Sequence, residues 1–120
     1  MPIELTLIYN AASGRRQAVL DSLHKALHPQ SYPCDLCRLT HHFWGERKTW
    51  ANFRKKLDGS ISVYHKDEIP EELMHLAANL PVILVNTTAG WRILLKKTEI
   101  RQCANAEDLT GQILIRLQEF

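Results

Sequence analysis

Apolar Ile3, Leu5 and Leu7 alternate with Glu4 and Thr6 before the run turns wholly apolar at Ile8-Tyr9. That pattern predicts a strand over Ile3–Tyr9 that enters the middle of a sheet. Residues 10–14 form a polar, small-residue break, and Ser13 is placed to cap the helix that follows. Val19, Leu20, Leu23, Ala26 and Leu27 make one helical stripe, which Pro29 stops. After a turn at Ser31-Tyr32-Pro33, residues 34–40 read as a short strand with Cys37 and Leu39 on one face. Trp50, Phe53 and Leu57 mark a second helix, ended by Asp58-Gly59. Residues 61–65 alternate as a strand, with Ile61 and Val63 on one face. Pro70, Glu71 and Glu72 open a helix whose inward face is Leu73, Leu76 and Ala77. Residues 82–85 are an apolar strand, 86–90 a turn and 91–95 the return strand of an antiparallel hairpin. Asn105 and Asp108 resemble a capping box, and Leu109, Ile113, Leu114 and Leu117 are the stripe of a C-terminal helix.

Strands alternating with helices predict a layered α/β domain with a central sheet. No repeat or linker interrupts residues 1–120, so one domain is expected, and a chain of 120 residues buries enough surface to fold without a staple. The charge is nearly balanced, 15 basic against 13 acidic residues and net +2, which argues against a nucleic-acid partner. Arg54-Lys55-Lys56 complement the dipole at a helix end, and Lys96-Lys97 read as a solvated strand edge. No apolar run reaches the roughly 18 residues of a membrane span. Residues 1–10 carry neither a basic start nor a cleavage site, and three cysteines are an odd number for a disulfide framework. The expectation is a cytoplasmic protein, in a reducing compartment where paired cysteines are catalytic or metal-binding.

Cys34-Asp35-Leu36-Cys37 carries the strongest chemical signal. Two cysteines at this spacing close a small disulfide ring or share a metal ion, and such a motif lowers a thiol pKa into the roughly 3.5–7.5 range. Buried, inert cysteines are the alternative. His41-His42 follow, so Cys34, Cys37, His41 and either Cys103 or His65 are a candidate zinc set, although adjacent strand histidines face opposite ways. Ser13-Gly14-Arg15-Arg16 precede a helix and are a candidate anion site, with a plain N-cap and solvent-facing arginines as the alternative. Trp44, in a loop with Phe43 and Gly45, is a candidate pocket or partner residue.

Tyr9-Asn10-Ala11 with Ser13-Gly14, and Tyr32 with Cys34-x-x-Cys37-x-Leu39-Thr40, resemble stretches of a family of small, uncharacterised bacterial proteins, some labelled putative GTPase. No Gly-rich loop ending in Gly-Lys-Ser/Thr accompanies them, so phosphate-loop chemistry is not expected. The ending, proline, strand, turn, strand and helix, resembles the second half of the thioredoxin fold. That resemblance implies a thioredoxin-like three-layer domain with a central mixed sheet and a C-terminal hairpin plus helix. It also implies that Pro81, after Leu80, is cis and faces the cysteines, and that residues 61–77 are an insertion. On this reading the cysteine pair follows the first helix and stands beside the second strand, away from a helix N-terminus.

Three functions stay open. The leading one is a thiol–disulfide protein or redox sensor acting on an unknown protein or thiol partner, without a cofactor. Cys34 would attack, Cys37 resolve and Pro81 shape the groove. A non-catalytic binding module of the same fold and a small zinc-binding protein are the others.

Overall fold

Ile3–Tyr9 forms the strand its pattern predicts, β1. In the computed structural model, residues 2–12, 34–42 and 45–120 are described. The Ser13-Gly14-Arg15-Arg16 loop, the helix over residues 19–27, the turn at residues 31–33 and Trp44 lie outside the described residues. Five consecutive positions of β1, Leu5 to Tyr9, are buried, because both faces of the strand are covered. Leu5, Leu7 and Tyr9 face one apolar cluster and Ile8 faces another, as the two-residue period of a strand requires.

Residues 34–40 correct the sequence reading. They hold a helix, α1 (Asp35–Thr40), with Cys34 as its N-cap. The buried positions are Leu36, Cys37, Leu39 and Thr40, an i, i+1, i+3, i+4 set that lies on one helical face and that strand alternation does not produce. A short strand next follows, β2 (His41–His42), paired antiparallel with β3 (Gly45–Glu46). Then comes α2 (Lys48–Lys56), which buries Trp50 and packs Phe53 and Leu57 against the same core. Its last turn is basic, as predicted.

The next strand, β4 (Gly59–His65), runs parallel to β1 over the whole of that strand, from Ile3↔Gly59 to Tyr9↔His65. Residues 61–65 are therefore part of the main sheet. With residues 34–40 helical, β4 is left to pair with β1, and a parallel pair needs a long crossover, which the chain between them supplies. Glu71–Leu76 forms a 3-10 helix with Leu73 inward. The Leu80–Pro81 peptide is cis. The hairpin forms as predicted from β5 (Val82–Thr87) and β6 (Gly90–Leu95). The sheet order is β4-β1-β5-β6, with one parallel and two antiparallel pairings.

Lys96 and Lys97 do not lie on a strand edge. Lys96 is the N-cap of α3 (Lys97–Arg101), and its N–H donates to Glu99 Oε1 at 3.1 Å. The closing helix, α4 (Ala106–Leu117), starts where Asn105 Oδ1 accepts the Asp108 N–H at 2.9 Å. Leu109 and Ile113 are buried as predicted, whereas Leu114 is exposed. One face of the sheet carries residues of α1, α2, α3 and α4. The other carries the 3-10 helix and the loop before β5, around Ile8, Val82 and Leu84. Among the described residues, no helix is long and apolar enough to cross a membrane.

Gly59 starts β4 at φ +155°, and a Cβ there would collide with the Ile3 carbonyl. Gly90 also has positive φ, +103°, but nothing lies near it. Alanine at either position costs about 1–3 kcal/mol in backbone conformation. Gly59→Ala adds a backbone overlap between β4 and β1, so urea unfolding should show it losing clearly more stability than Gly90→Ala. Equal losses would mean that the close approach at Ile3 is not a constraint on the fold.

Candidate functional site

Cys34 and Cys37 are joined by a disulfide with their Cα atoms 5.3 Å apart. Helical geometry brings them together, because Cys34 caps α1 and Cys37 lies in its first turn. Cys34 Sγ accepts the Cys37 N–H at 3.2 Å, and the Cys34 carbonyl accepts the Arg38 N–H at 3.2 Å. The pair was expected away from a helix N-terminus; it occupies one. Capping supplies an N–H aimed at sulfur, which favours a negative sulfur once the bond is cleaved. Access is restricted: Cys34 has no exposed surface and Cys37 keeps 6%.

Two arginines hold α1 in place. Arg38 reaches the Cys103 carbonyl at 3.2 Å and the Ala104 carbonyl at 3.5 Å, and it pairs with Asp35 at 3.5 Å. Arg47, the N-cap of α2, donates from Nε to the Arg38 carbonyl at 2.8 Å. The last turn of α1 is joined to β1 by a side-chain network. Thr40 Oγ1 lies 2.8 Å from the Tyr9 hydroxyl, 2.8 Å from His41 Nδ1 and 3.1 Å from the Leu36 carbonyl. A hydroxyl has one proton and two lone pairs, so three neighbours saturate it.

Tyr9 and Thr40 were not singled out as functional residues in the sequence. The hydrogen bond between them joins the end of β1 to the last turn of α1. A usable signal existed: Tyr9 shares the inward face of Leu5 and Leu7, and a buried phenol needs a partner. Its ring also meets the edges of His41 and His65, with centroids 6.2 and 5.9 Å away. Burial pushes the Tyr9 pKa up to about 12 from 10.0; the Thr40 hydrogen bond opposes that shift and the Glu46 charge adds to it.

The candidate zinc set does not assemble. Among the described residues no group of three or more His, Cys, Asp or Glu side chains is placed to hold a metal. The sulfurs of Cys34 and Cys37 are bonded to each other, His65 Nδ1 contacts Glu68 Oε1 at 2.7 Å, and the Cys103 thiol faces the Glu99 carbonyl at 3.7 Å. Burial, with Asp108 nearby, raises the Cys103 pKa against the opposing charge of Arg38, which disfavours the thiolate. The pairing Ile8↔Val82 brings Pro81 to the end of β1 that carries Tyr9. The anion-site residues Ser13, Gly14, Arg15 and Arg16 lie outside the described residues. No family model, curated protein or solved structure matches this chain.

The raised Tyr9 pKa makes a pH prediction. A pKa higher folded than unfolded gives stability that is full below pH 10 and is lost as pH climbs through about 12. The loss is of order 2–3 kcal/mol. Denaturant titrations between neutral and alkaline pH should show that fall, and Tyr9→Phe should flatten it while lowering neutral-pH stability by about 1 kcal/mol. An unchanged alkaline slope in Tyr9→Phe would assign the fall to other groups.

Proposed function

We propose that the protein is a thiol–disulfide redox protein of thioredoxin-like architecture, with Cys34 and Cys37 cycling between disulfide and dithiol. The observation that carries this reading is the Cys34–Cys37 disulfide at the start of α1. The architecture is supported by the sheet order, in which β1 lies between a parallel and an antiparallel neighbour and a hairpin closes the sheet.

The chemistry follows from the two sulfurs' surroundings. A thiolate of an incoming dithiol attacks Cys37, which has the more exposed surface. The Cys34–Cys37 bond breaks, a mixed disulfide forms on Cys37, and Cys34 leaves as a thiolate. Its leaving is favoured by the Cys37 N–H already directed at it, since better-stabilised thiolates leave faster. Cys34 then takes a proton from water. The second thiol of the partner attacks its own sulfur in the mixed disulfide and releases Cys37, which is protonated in turn. Two electrons and two protons pass to the protein, and the partner becomes the disulfide. This order places the mixed disulfide on Cys37 and makes Cys34 the resolving group, reversing the roles expected from chain order alone. The burial of both residues fits a sensor or an accessory with one partner better than a broad reductase.

Equilibrating the folded protein in graded glutathione buffers and counting free thiols tests the proposal. Of the three cysteines, two should disappear together in one two-electron transition while Cys103 stays reduced throughout. Cys34→Ser and Cys37→Ser should each abolish that transition. Three thiols free across the whole range, or a transition that survives Cys37→Ser, would contradict it.

A further inference from the structure

The two edges of the sheet are built differently. β6, at one edge, carries the charged Arg92, and its pairing with β5 is irregular at Ile83/Leu84. Charge and bulges guard an edge against pairing with another chain. β4, at the other edge, has neither guard. Its sequence Gly-Ser-Ile-Ser-Val-Tyr-His holds no acid, lysine, arginine or proline, and its register with β1 is unbroken from Gly59 to His65. Among the described residues, no strand pairs with its outer side.

Hydrogen bonds show which backbone groups face that side. The Asp58 carbonyl accepts the Ile3 N–H at 2.8 Å, and the Lys66 N–H donates to the Ala11 carbonyl at 3.0 Å. Even-numbered residues therefore turn toward β1. Successive residues of a strand direct their N–H and C=O groups to opposite sides, so Gly59, Ile61, Val63 and His65 direct theirs outward. The His65 N–H is closed onto Glu68 Oε1 of its own chain at 2.9 Å, while Ile61 and Val63 present theirs at the edge.

We propose that β4 pairs antiparallel with β4 of a second copy of this chain, about a two-fold axis at Ser62, so that one sheet runs through both copies. Such a pairing is self-complementary. Ile61 meets Val63 of the second copy and exchanges N–H···O bonds with it, and the reciprocal pair forms across the axis. Their apolar side chains meet on one face, which covers Val63, 41% exposed in the single chain. Charge selects both the register and the occupant. The axis at Ser62 places Asp58 opposite Lys66 of the second copy at both ends of the pairing. Both residues are exposed, and among the described residues neither makes an ion pair. Moving the axis to Val63 sets Asp58 toward Glu68 of the second copy, and moving it to Ile61 sets Asp58 opposite Tyr64. Opposite charges across a strand pair stabilise it and like charges destabilise it. One strand thus carries both halves of its own charge complement. The inference is independent of the cysteine chemistry.

Sedimentation velocity of the full chain from about 1 μM to about 1 mM tests it, a range that covers small interfaces of less than roughly 1,000 Å². A reversible monomer–dimer equilibrium should appear. Lys66→Asp and Asp58→Lys should each weaken it about tenfold, and the double variant should recover it. The net charge is +2, and the two single variants move it in opposite directions, so general repulsion does not weaken both. Arg92→Asp, the same charge change as Lys66→Asp at the other sheet edge, should leave the equilibrium unchanged. Ser62→Cys should cross-link two chains on oxidation, because facing residues of a non-hydrogen-bonded pair lie within disulfide reach. Ser60→Cys, whose counterpart is Tyr64, should not. A chain that stays monomeric across the range, a double variant no better than the single ones, or equal cross-linking of Ser60→Cys and Ser62→Cys would overturn the pairing.

Discussion

The candidate site depends on where α1 begins. The Cys37 N–H donates to Cys34 Sγ, and that cap starts a helix at Asp35. An uncapped helix end leaves its first N–H groups without partners. Once α1 exists, the two cysteines lie within disulfide reach, Leu36 and Leu39 turn into the core, and Thr40 arrives at the Tyr9 hydroxyl. The same choice leaves β4 as the parallel neighbour of β1. A single local decision thus sets both the sheet order and the chemistry.

Tyr9 links that decision to the sheet. It stands at the end of the central strand, buried, with its hydroxyl on α1 and its ring between His41 and His65. The far end of α1 is therefore held by β1, while Arg38 and Arg47 hold its flank to the α3–α4 connection and to α2. A cysteine pair at the start of such a fixed helix is preorganised, and its chemistry is limited by access more than by geometry. On the proposed redox reading, the burial of Cys34 and Cys37 narrows what can reach the pair.

The elements legible in the sequence are those with enough turns or alternations to show a period. β1, α2, the β5–β6 hairpin and α4 all fall where their apolar spacing puts them. Residues 34–40 were not legible, because Cys37 and Leu39 satisfy a period of two while Leu36, Leu39 and Thr40 satisfy a helical one; six or seven residues do not separate the two. The cap that settles it is a cysteine sulfur, which does not count among the usual capping groups. Lys96-Lys97 mislead for a related reason: two lysines suit a strand edge, and the helix start is marked by the Lys96 N–H on the Glu99 carboxylate and by the Lys96 carbonyl accepting the Ile100 N–H. Leu114 continues the apolar pattern of α4 but lies beyond the width of its buried stripe. For the site, the cysteine spacing is visible in the sequence and its helical setting is not, and the pairing of Tyr9 with Thr40 shows only once α1 is in place.

The most direct test of the account is the identity of the cysteine that carries the mixed disulfide. Folded Cys34→Ser protein, exposed to oxidised glutathione and mapped by peptide mass spectrometry, should carry glutathione on Cys37 and leave Cys103 unmodified. An adduct on Cys103 with Cys37 untouched would mean that the α1 cysteines are closed to thiol exchange.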